Sequence, residues 1–174
     1  ERAEEAYKQT PDNPDVLNRY AQLLRKEGTR DTLKQAAKVY TKGYKDTGEY
    51  RFRMNAGDIA IMLAKMKLET LDGEQRREAE QECFELERSE YSKRVEQYPT
   101  DRLLKFKLGE VALRCDDIET AMSCFQKSKD EPKIRTRSGH LLGRCFAKEG
   151  WHTEAVDEYR DTLNKIDPTE GELE

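Results

Sequence analysis

The 174-residue sequence has little of what most catalytic and metal-binding sites are built from. It contains only two histidines, twelve residues apart. It contains four cysteines and no CxxC pair: Cys83, Cys115, Cys124 and Cys145. None of these spacings resembles a zinc site, and the chain has no GxSxG, HExxH, P-loop or GxGxxG motif. We therefore expect no catalytic residues, no metal and no cofactor, and hence a protein that is not an enzyme.

Long apolar runs are also missing. No segment approaches the ~20 apolar residues of a membrane-spanning helix, so we expect this chain to make no membrane contact. With 5 prolines and 10 glycines, it is neither collagen-like nor of low complexity. Charged residues reach 39% and hydrophobic ones 35%, which is lean for one compact core but suits an elongated array whose helices each bury one stripe. Ala, Leu, Glu, Lys and Arg dominate, which favours an all-α chain.

Charge of one sign is lacking as well. The 32 basic and 36 acidic residues are interspersed and give a net charge of −4. A nucleic-acid-binding domain is typically basic, so we expect no nucleic acid partner.

What the sequence does contain is an internal repeat. The segment from Leu103 and the segment from Arg137 align when Leu108-Gly109 is placed on Leu142-Gly143, an offset of 34 residues. The same offset brings Ala121 onto Ala155 and Phe125 onto Tyr159. Agreement of several positions at one period indicates stacked helical hairpins.

These residues resemble the tetratricopeptide repeat (TPR), a 34-residue helix–turn–helix unit. The family's Leu-small, Ala, aromatic and Pro positions match residues in both copies: Leu108, Gly109, Ala121, Phe125 and Pro132, then Leu142, Gly143, Ala155, Tyr159 and Pro168. The resemblance implies a right-handed α-solenoid of about nine helices, in which neighbouring hairpins bury each other's apolar stripes. It also suggests a slice of a longer, bacterial-type array.

The hairpins can be assigned along the whole chain. Ala3 and Tyr7 hold the Ala-aromatic spacing at the start, and the unit near the middle has two elongated helices. We predict the following divisions: 1–13, the second half of a preceding repeat; 14–48, a TPR-like repeat; 49–100, an elongated repeat; 101–133 and 134–168, two TPR repeats; and 169–174, a tail.

The resemblance also implies a concave groove lined by the first helix of each hairpin. The residues assigned to it are Asn18, Gln22, Arg25, Arg51, Met54, Asn55, Asp58, Phe106, Lys107, Arg114, Arg137, His140 and Arg144. Bases outnumber acids there, which favours a protein or peptide partner of acidic character. Met54, Phe106 and Leu103 would serve as its apolar anchors. The competing interpretation is an ordinary solvated face.

A second reading is a module for homo-oligomerisation or for assembly within a larger protein. The elongated helices would then present a stripe of Ala79, Cys83, Leu86 and Val95 to another copy. A carboxylate clamp of the kind that binds chaperone tails matches only at Asn55 and, in charge, at Lys107.

The remaining conspicuous residues have structural explanations. Cys124 and Cys145 fall on inward helix positions, where thiols act as small apolar groups. Asp116-Asp117 is expected to cap a helix, and Trp151 to pack between hairpins. The sequence contains no recognisable targeting signal. We favour a cytoplasmic location, although a signal or anchor could precede Glu1.

Overall fold

The protein consists of α-helices joined by short turns. A computed structural model describes residues 2–166. In that range there are nine α-helices and one short 3₁₀ turn at Pro132–Ile134, and no strand. The helices are α1 (Arg2–Gln9), α2 (Pro14–Glu27), α3 (Arg30–Thr47), α4 (Tyr50–Leu68), α5 (Gly73–Gln97), α6 (Arg102–Arg114), α7 (Ile118–Ser128), α8 (Arg135–Lys148) and α9 (His152–Asn164). The predicted all-α fold class is confirmed. Pro168 and the predicted tail, 169–174, lie outside the described residues.

The chain divides into two compact units, Glu1–Leu86 and Glu87–Glu174. In the first unit, the α2–α3 hairpin closes through a turn of only two residues, Gly28 and Thr29. Gly28 adopts φ 72°, a left-handed conformation that glycine takes without steric cost. Thr29 then accepts a hydrogen bond from Thr32 N at 3.2 Å and caps α3.

Aromatic and aliphatic side chains fill the core of the first unit. Tyr40 and Phe52 stack with ring centroids 6.0 Å apart, and both side chains are fully buried. Leu17 of α2 lies so close to α3 that a β-carbon at Gly43 would stand 2.6 Å from Leu17 Cδ1. A glycine is required there for the two helices to approach.

The second unit contains the two hairpins that the 34-residue repeat predicts, α6–α7 and α8–α9. In α6–α7, a β-carbon at Gly109 would lie 2.8 Å from the Phe125 ring. In α8–α9, a β-carbon at Gly143 would lie 2.4 Å from Tyr159. The same glycine-to-aromatic contact thus closes both hairpins, as their alignment implies.

Two aspartates form the turn between α6 and α7. Asp117 accepts a hydrogen bond from Thr120 N at 3.1 Å and caps α7 as expected. Asp116 does not cap; it adopts φ 62°, a region that Asp tolerates better than most residues. The second hairpin turns at Gly150, and Trp151 stacks on Phe146 of the same hairpin at 5.9 Å while staying 48% exposed.

Candidate functional site

The predicted groove residues of the first unit lie on α2 and α4 and are exposed to different degrees. Gln22 and Arg51 are exposed, whereas Asn18 is half-buried and accepts a hydrogen bond from the Tyr40 hydroxyl at 3.3 Å. Arg51 is held by Glu49, with Nε and Oε2 2.6 Å apart. The other predicted residues of this unit are half-buried: Arg25, Met54, Asn55 and Asp58. Asn18 thus supports the α2–α3 packing.

The second unit brings several predicted residues together in a groove between α6 and α8. We call it the α6–α8 groove; it has a volume of about 500 Å³ and is lined by Glu110, Leu113, Arg114, Leu141 and Arg144. The first helices of two successive hairpins supply all five side chains. Two arginines and two leucines therefore line one concavity.

Ion pairs compensate most of the positive charge near this groove. Glu110 lies 2.8 Å from Lys107 Nζ and 2.9 Å from an Arg137 terminal nitrogen. Arg114 pairs with Glu87, whose side chain is buried. Arg144 differs, because it is exposed and has no ion pair in the described chain, 2–166. It is the cation of the groove most available to an anionic ligand.

Phe106 does not line an open surface, and its predicted role as an exposed anchor is wrong. Its side chain is 1% exposed and packs on Phe125 with ring centroids 5.8 Å apart. The Arg137 guanidinium lies over its outer face, 5.0 Å from the centroid. A large aromatic ring at this helix position gains more from burial between the hairpins than from exposure.

The apolar stripe predicted on α5 is likewise not free to meet another copy. Ala79 is 6% and Cys83 is 2% exposed, while Leu86 and Val95 are half-buried. The helical spacing of these residues therefore marks a face that is buried within the protein. Spacing alone cannot distinguish a buried stripe from one that awaits a partner.

A second groove, between α8 and α9, is lined by the predicted groove residues Arg137 and His140 and by apolar residues that were not assigned to the groove. Its volume is about 650 Å³, and its apolar floor includes Leu141, Tyr159, Leu163 and Ile166. His140 lies at its edge, with its ring 5.8 Å from that of Tyr159. Leu163 is 66% exposed and Val156 52%. Val156 and Leu163 are seven residues apart on α9 and therefore lie on the same helix face. This apolar spacing was the feature of the sequence that could have predicted the groove.

The cysteines are packing groups. None of the four is in a disulfide, and Cys124 and Cys145 are buried as predicted. Burial raises the pKa of both thiols, which disfavours the nucleophilic thiolate. Within residues 2–166, no three His, Cys, Asp or Glu side chains cluster in a way that could hold a metal ion.

Helix hydropathy bears on membrane insertion. Among the helices between residues 2 and 166, none is both long enough and apolar enough to cross a bilayer.

Comparison with known proteins gives a likeness of fold. No protein-family model matches the chain, and no curated protein sequence matches it significantly. A solved structure titled "Crystal structure of MamA" is similar with a TM-score of 0.62 and 16% identity, over 94% of this chain and 84% of that one. A "MamA RS-1 ArsTM double mutant" gives 0.59 and 16%, over 93% and 80%. A further "Crystal structure of MamA protein" gives 0.54 and 14%, over 94% and 78%. MamA has the TPR fold, so the chain has a TPR-like fold of helical hairpins.

Proposed function

We propose that this protein is a TPR-type, non-catalytic scaffold that binds an acidic peptide or partner helix in the α6–α8 groove. The observation that carries the proposal is that Arg114 and Arg144 line one groove together with Leu113 and Leu141. The arginines suit carboxylates, and the leucines suit one apolar side chain between them.

Arg144 would make the larger contribution to binding. Arg114 is already paired with the buried Glu87, so a ligand carboxylate there would compete with an existing partner. Arg144 has no such partner among residues 2–166, and its exposure leaves the guanidinium ready for a bidentate contact. A surface charge pair of this kind weakens with salt because mobile ions screen it.

A titration with two peptides of equal length and equal apolar content, one acidic and one basic, tests the proposal. We expect the acidic peptide to bind more tightly, and its Kd to rise several-fold between low and high salt. Arg144→Glu should weaken acidic-peptide binding by at least about tenfold, since a reversed charge replaces attraction by repulsion. Lys127→Glu makes the same charge change on an exposed residue of α7 and should change Kd less than about twofold.

Equal weak binding of both peptides, insensitive to salt, would contradict the proposal. So would equal losses in Arg144→Glu and Lys127→Glu, because that result would indicate a general charge effect. Circular dichroism of both variants confirms that the helices are retained.

The alternative, homo-oligomerisation, would use another surface, since Ala79 and Cys83 are buried. Sedimentation over a wide concentration range tests it. A monomer at every concentration would leave the peptide-binding proposal standing and remove the alternative.

A further inference from the structure

The α8–α9 face is an apolar helix surface on which no helix of the described chain packs. We use this name for the groove built on Leu141, Tyr159, Thr162, Leu163 and Ile166. Its most prominent residue, Leu163, is 66% exposed. Exposure of a large aliphatic side chain at the rim of an apolar groove is typical of a binding surface.

The same surface exists one repeat earlier, and there it is covered. At the 34-residue offset, Tyr159 corresponds to Phe125, Thr162 to Ser128 and His140 to Phe106. Phe125 and Ser128 are fully buried and Phe106 is 1% exposed. The element that covers them is α8. The molecule therefore contains a template for what can occupy its own α8–α9 face.

The contacts of α8 at the covered joint are specific. Ser138 lies with its hydroxyl 2.8 Å from that of Ser128, and both side chains are buried. Arg137 bonds Glu110 at 2.9 Å and lies over Phe106. Leu142 is part of the same apolar cluster as Phe125. The joint thus combines one hydroxyl pair, one ion pair and an aliphatic seam.

One of these contacts has a counterpart without a partner at the α8–α9 face. Thr162, which corresponds to Ser128, is 8% exposed. Its hydroxyl oxygen is buried and has no hydrogen-bond partner among residues 2–166. A β-carbon at Gly139 of α8 would stand 2.1 Å from this oxygen, so the hydroxyl faces α8 in the structure. To meet an incoming group it must take the second χ1 rotamer that a threonine populates in a helix. A buried hydroxyl without a partner costs free energy that such a group would recover.

The ion pair of the covered joint, Arg137 with Glu110, has a counterpart of opposite charge at the α8–α9 face. The residue that corresponds to Glu110 is Arg144, and the one that corresponds to Phe106 is His140. Where α8 offers an arginine to Glu110, an occupant that lies on this face as α8 lies on the preceding hairpin would meet Arg144, which has no ion pair among residues 2–166, and His140 of the groove lining. A carboxylate is therefore the complementary group at the place that Arg137 holds in α8.

We propose that the α8–α9 face binds an amphipathic helix of a partner protein whose contact residues follow those of α8 with one reversal. The helix carries a carboxylate in place of Arg137, a serine or threonine in place of Ser138, and aliphatic residues in place of Leu141 and Leu142. Its contact positions 138, 141 and 142 follow the three- and four-residue spacing of a helix laid into a groove. This inference goes beyond the proposed function, because it concerns a helical ligand of defined pattern and a face whose other residues, Tyr159, Leu163 and Ile166, do not line the α6–α8 groove.

The chain itself supplies the probe. Two fluorescent peptides carry the α8 sequence, Arg135–Lys148, with Cys145→Ala and a hydrocarbon staple joining positions 140 and 144. One is otherwise unchanged and the other has Arg137→Glu. The staple is needed because a free 14-residue helix is marginal in water. Positions 140 and 144 are exposed in the protein, so the staple lies away from the contact seam.

We expect the Arg137→Glu peptide to bind the full chain at least about fivefold more tightly than the unchanged peptide. The protein variant Arg144→Glu should reverse this preference, which isolates the charge pair. Leu163→Asp should weaken both peptides at least about tenfold, since it places a charge in the apolar seam. Leu103→Asp is the matched control: it changes another exposed leucine of the same unit, 49% exposed, and should leave both affinities within about twofold.

The hydroxyl contact has its own readout. With the natural protein, a peptide with Ser138→Ala should bind less tightly than one that keeps the serine. With Thr162→Val, which keeps the shape of the side chain, that difference should vanish.

Several outcomes would overturn the proposal: no measurable binding of either peptide, equal losses in Leu163→Asp and Leu103→Asp, or no preference for Arg137→Glu. A concentration-dependent dimer that Leu163→Asp abolishes would assign the face to a second copy instead. Peptide affinity at least tenfold higher in a chain ending at Ile166 would assign it to residues 167–174. Leu163 does not line the α6–α8 groove, so Leu163→Asp should leave acidic-peptide binding there intact while it weakens the α8 peptides. Arg144→Glu affects both surfaces, and the Leu163→Asp result is therefore the one that separates a failure of this inference from a failure of the proposed function.

Discussion

The hydroxyl groups of Ser128 and Ser138 lie 2.8 Å apart in the joint between α7 and α8, and both residues are fully buried. Ser128 also lies 3.1 Å from the carbonyl oxygen of Phe125, to which it donates. A serine has one hydroxyl proton, so Ser138 must be the donor to Ser128. The pair therefore has a direction, and the two serines are not equivalent.

That direction predicts unequal effects of truncation. Ser128→Ala removes the acceptor and leaves the buried Ser138 hydroxyl without its bond, which we expect to cost about 1–3 kcal/mol of unfolding free energy. Ser138→Ala leaves Ser128 still bonded to Phe125 and should cost about 1 kcal/mol or less. Urea unfolding of both variants checks the order. The double alanine variant should lose less than the sum of the two, and strict additivity would contradict a direct bond.

The two glycines that admit an aromatic ring give a second prediction. Gly109→Ala places a β-carbon 2.8 Å from the ring of Phe125, a side chain that is fully buried and cannot move away. We expect a net loss of about 1–3 kcal/mol from overpacking, despite the better helix propensity of alanine.

Gly143→Ala is the matched comparison, because its β-carbon would meet Tyr159 at 2.4 Å. Tyr159 is only half-buried, so its ring can swing toward solvent, and the loss should be smaller than at Gly109. Thermal unfolding of the two variants ranks them. A larger loss at Gly143 would mean that the α9 ring is held as firmly as the α7 ring.

Thiol reactivity provides a third test. Cys83, Cys124 and Cys145 are buried, whereas Cys115 is half-buried. Burial also raises the pKa of the Cys124 and Cys145 thiols. A colorimetric disulfide reagent should therefore react quickly with one thiol of the native chain and with four after denaturation. Cys115→Ser should abolish the fast phase; a fast phase that persists would place the reactive thiol elsewhere.

Alkaline stability depends on a buried tyrosine. Burial raises the pKa of Tyr40 above its ordinary value, although Arg25 and Arg51 oppose the shift. A raised folded-state pKa means that the contribution to stability is complete below the unfolded-state pKa of about 10 and is lost as pH rises through the folded-state value. The urea midpoint should therefore fall as pH rises above about 10.

Tyr40→Phe isolates this effect. It should lower stability at pH 8 by about 1 kcal/mol, because the hydrogen bond to Asn18 is lost, and it should make the decline above pH 10 shallower. Tyr44→Phe removes a hydroxyl from a tyrosine that is 38% exposed and serves as the control. An unchanged slope in Tyr40→Phe would show that ionisation of other groups causes the alkaline loss.

The 34-residue repeat and the helix-capping residues were enough to predict much of the helical organisation from the sequence. The Leu-Gly, Ala and aromatic positions of the last two hairpins recur at one offset, and the same Gly-to-aromatic contact closes both. Local chemistry also placed the cap at Asp117. Such features depend on neighbours within one or two helical turns, so the order of residues is enough to predict them.

The candidate site was less accessible to this reasoning. The groove assignment included Phe106, which is buried, and of the α8–α9 groove it included only Arg137 and His140. The repeat pattern gives the face on which a residue lies, but not the depth to which the next helix covers it. Phe106 is buried because α8, the first helix of the next hairpin, packs on it. Its counterpart His140 is exposed because the described residues contain no further hairpin that would pack on it in the same way.

The sequence by itself determined that this protein is all-α, that its last two hairpins repeat at 34 residues, and that Cys124 and Cys145 occupy core positions. Those properties follow from side-chain volume and polarity at helical spacing, which act along the chain. Only the tertiary structure decided which of the predicted groove cations find an ion-pair partner within residues 2–166. Arg114, Arg137 and Arg144 look alike in the sequence, yet Glu87 and Glu110 take the first two, and packing between helices leaves Arg144 open to a ligand.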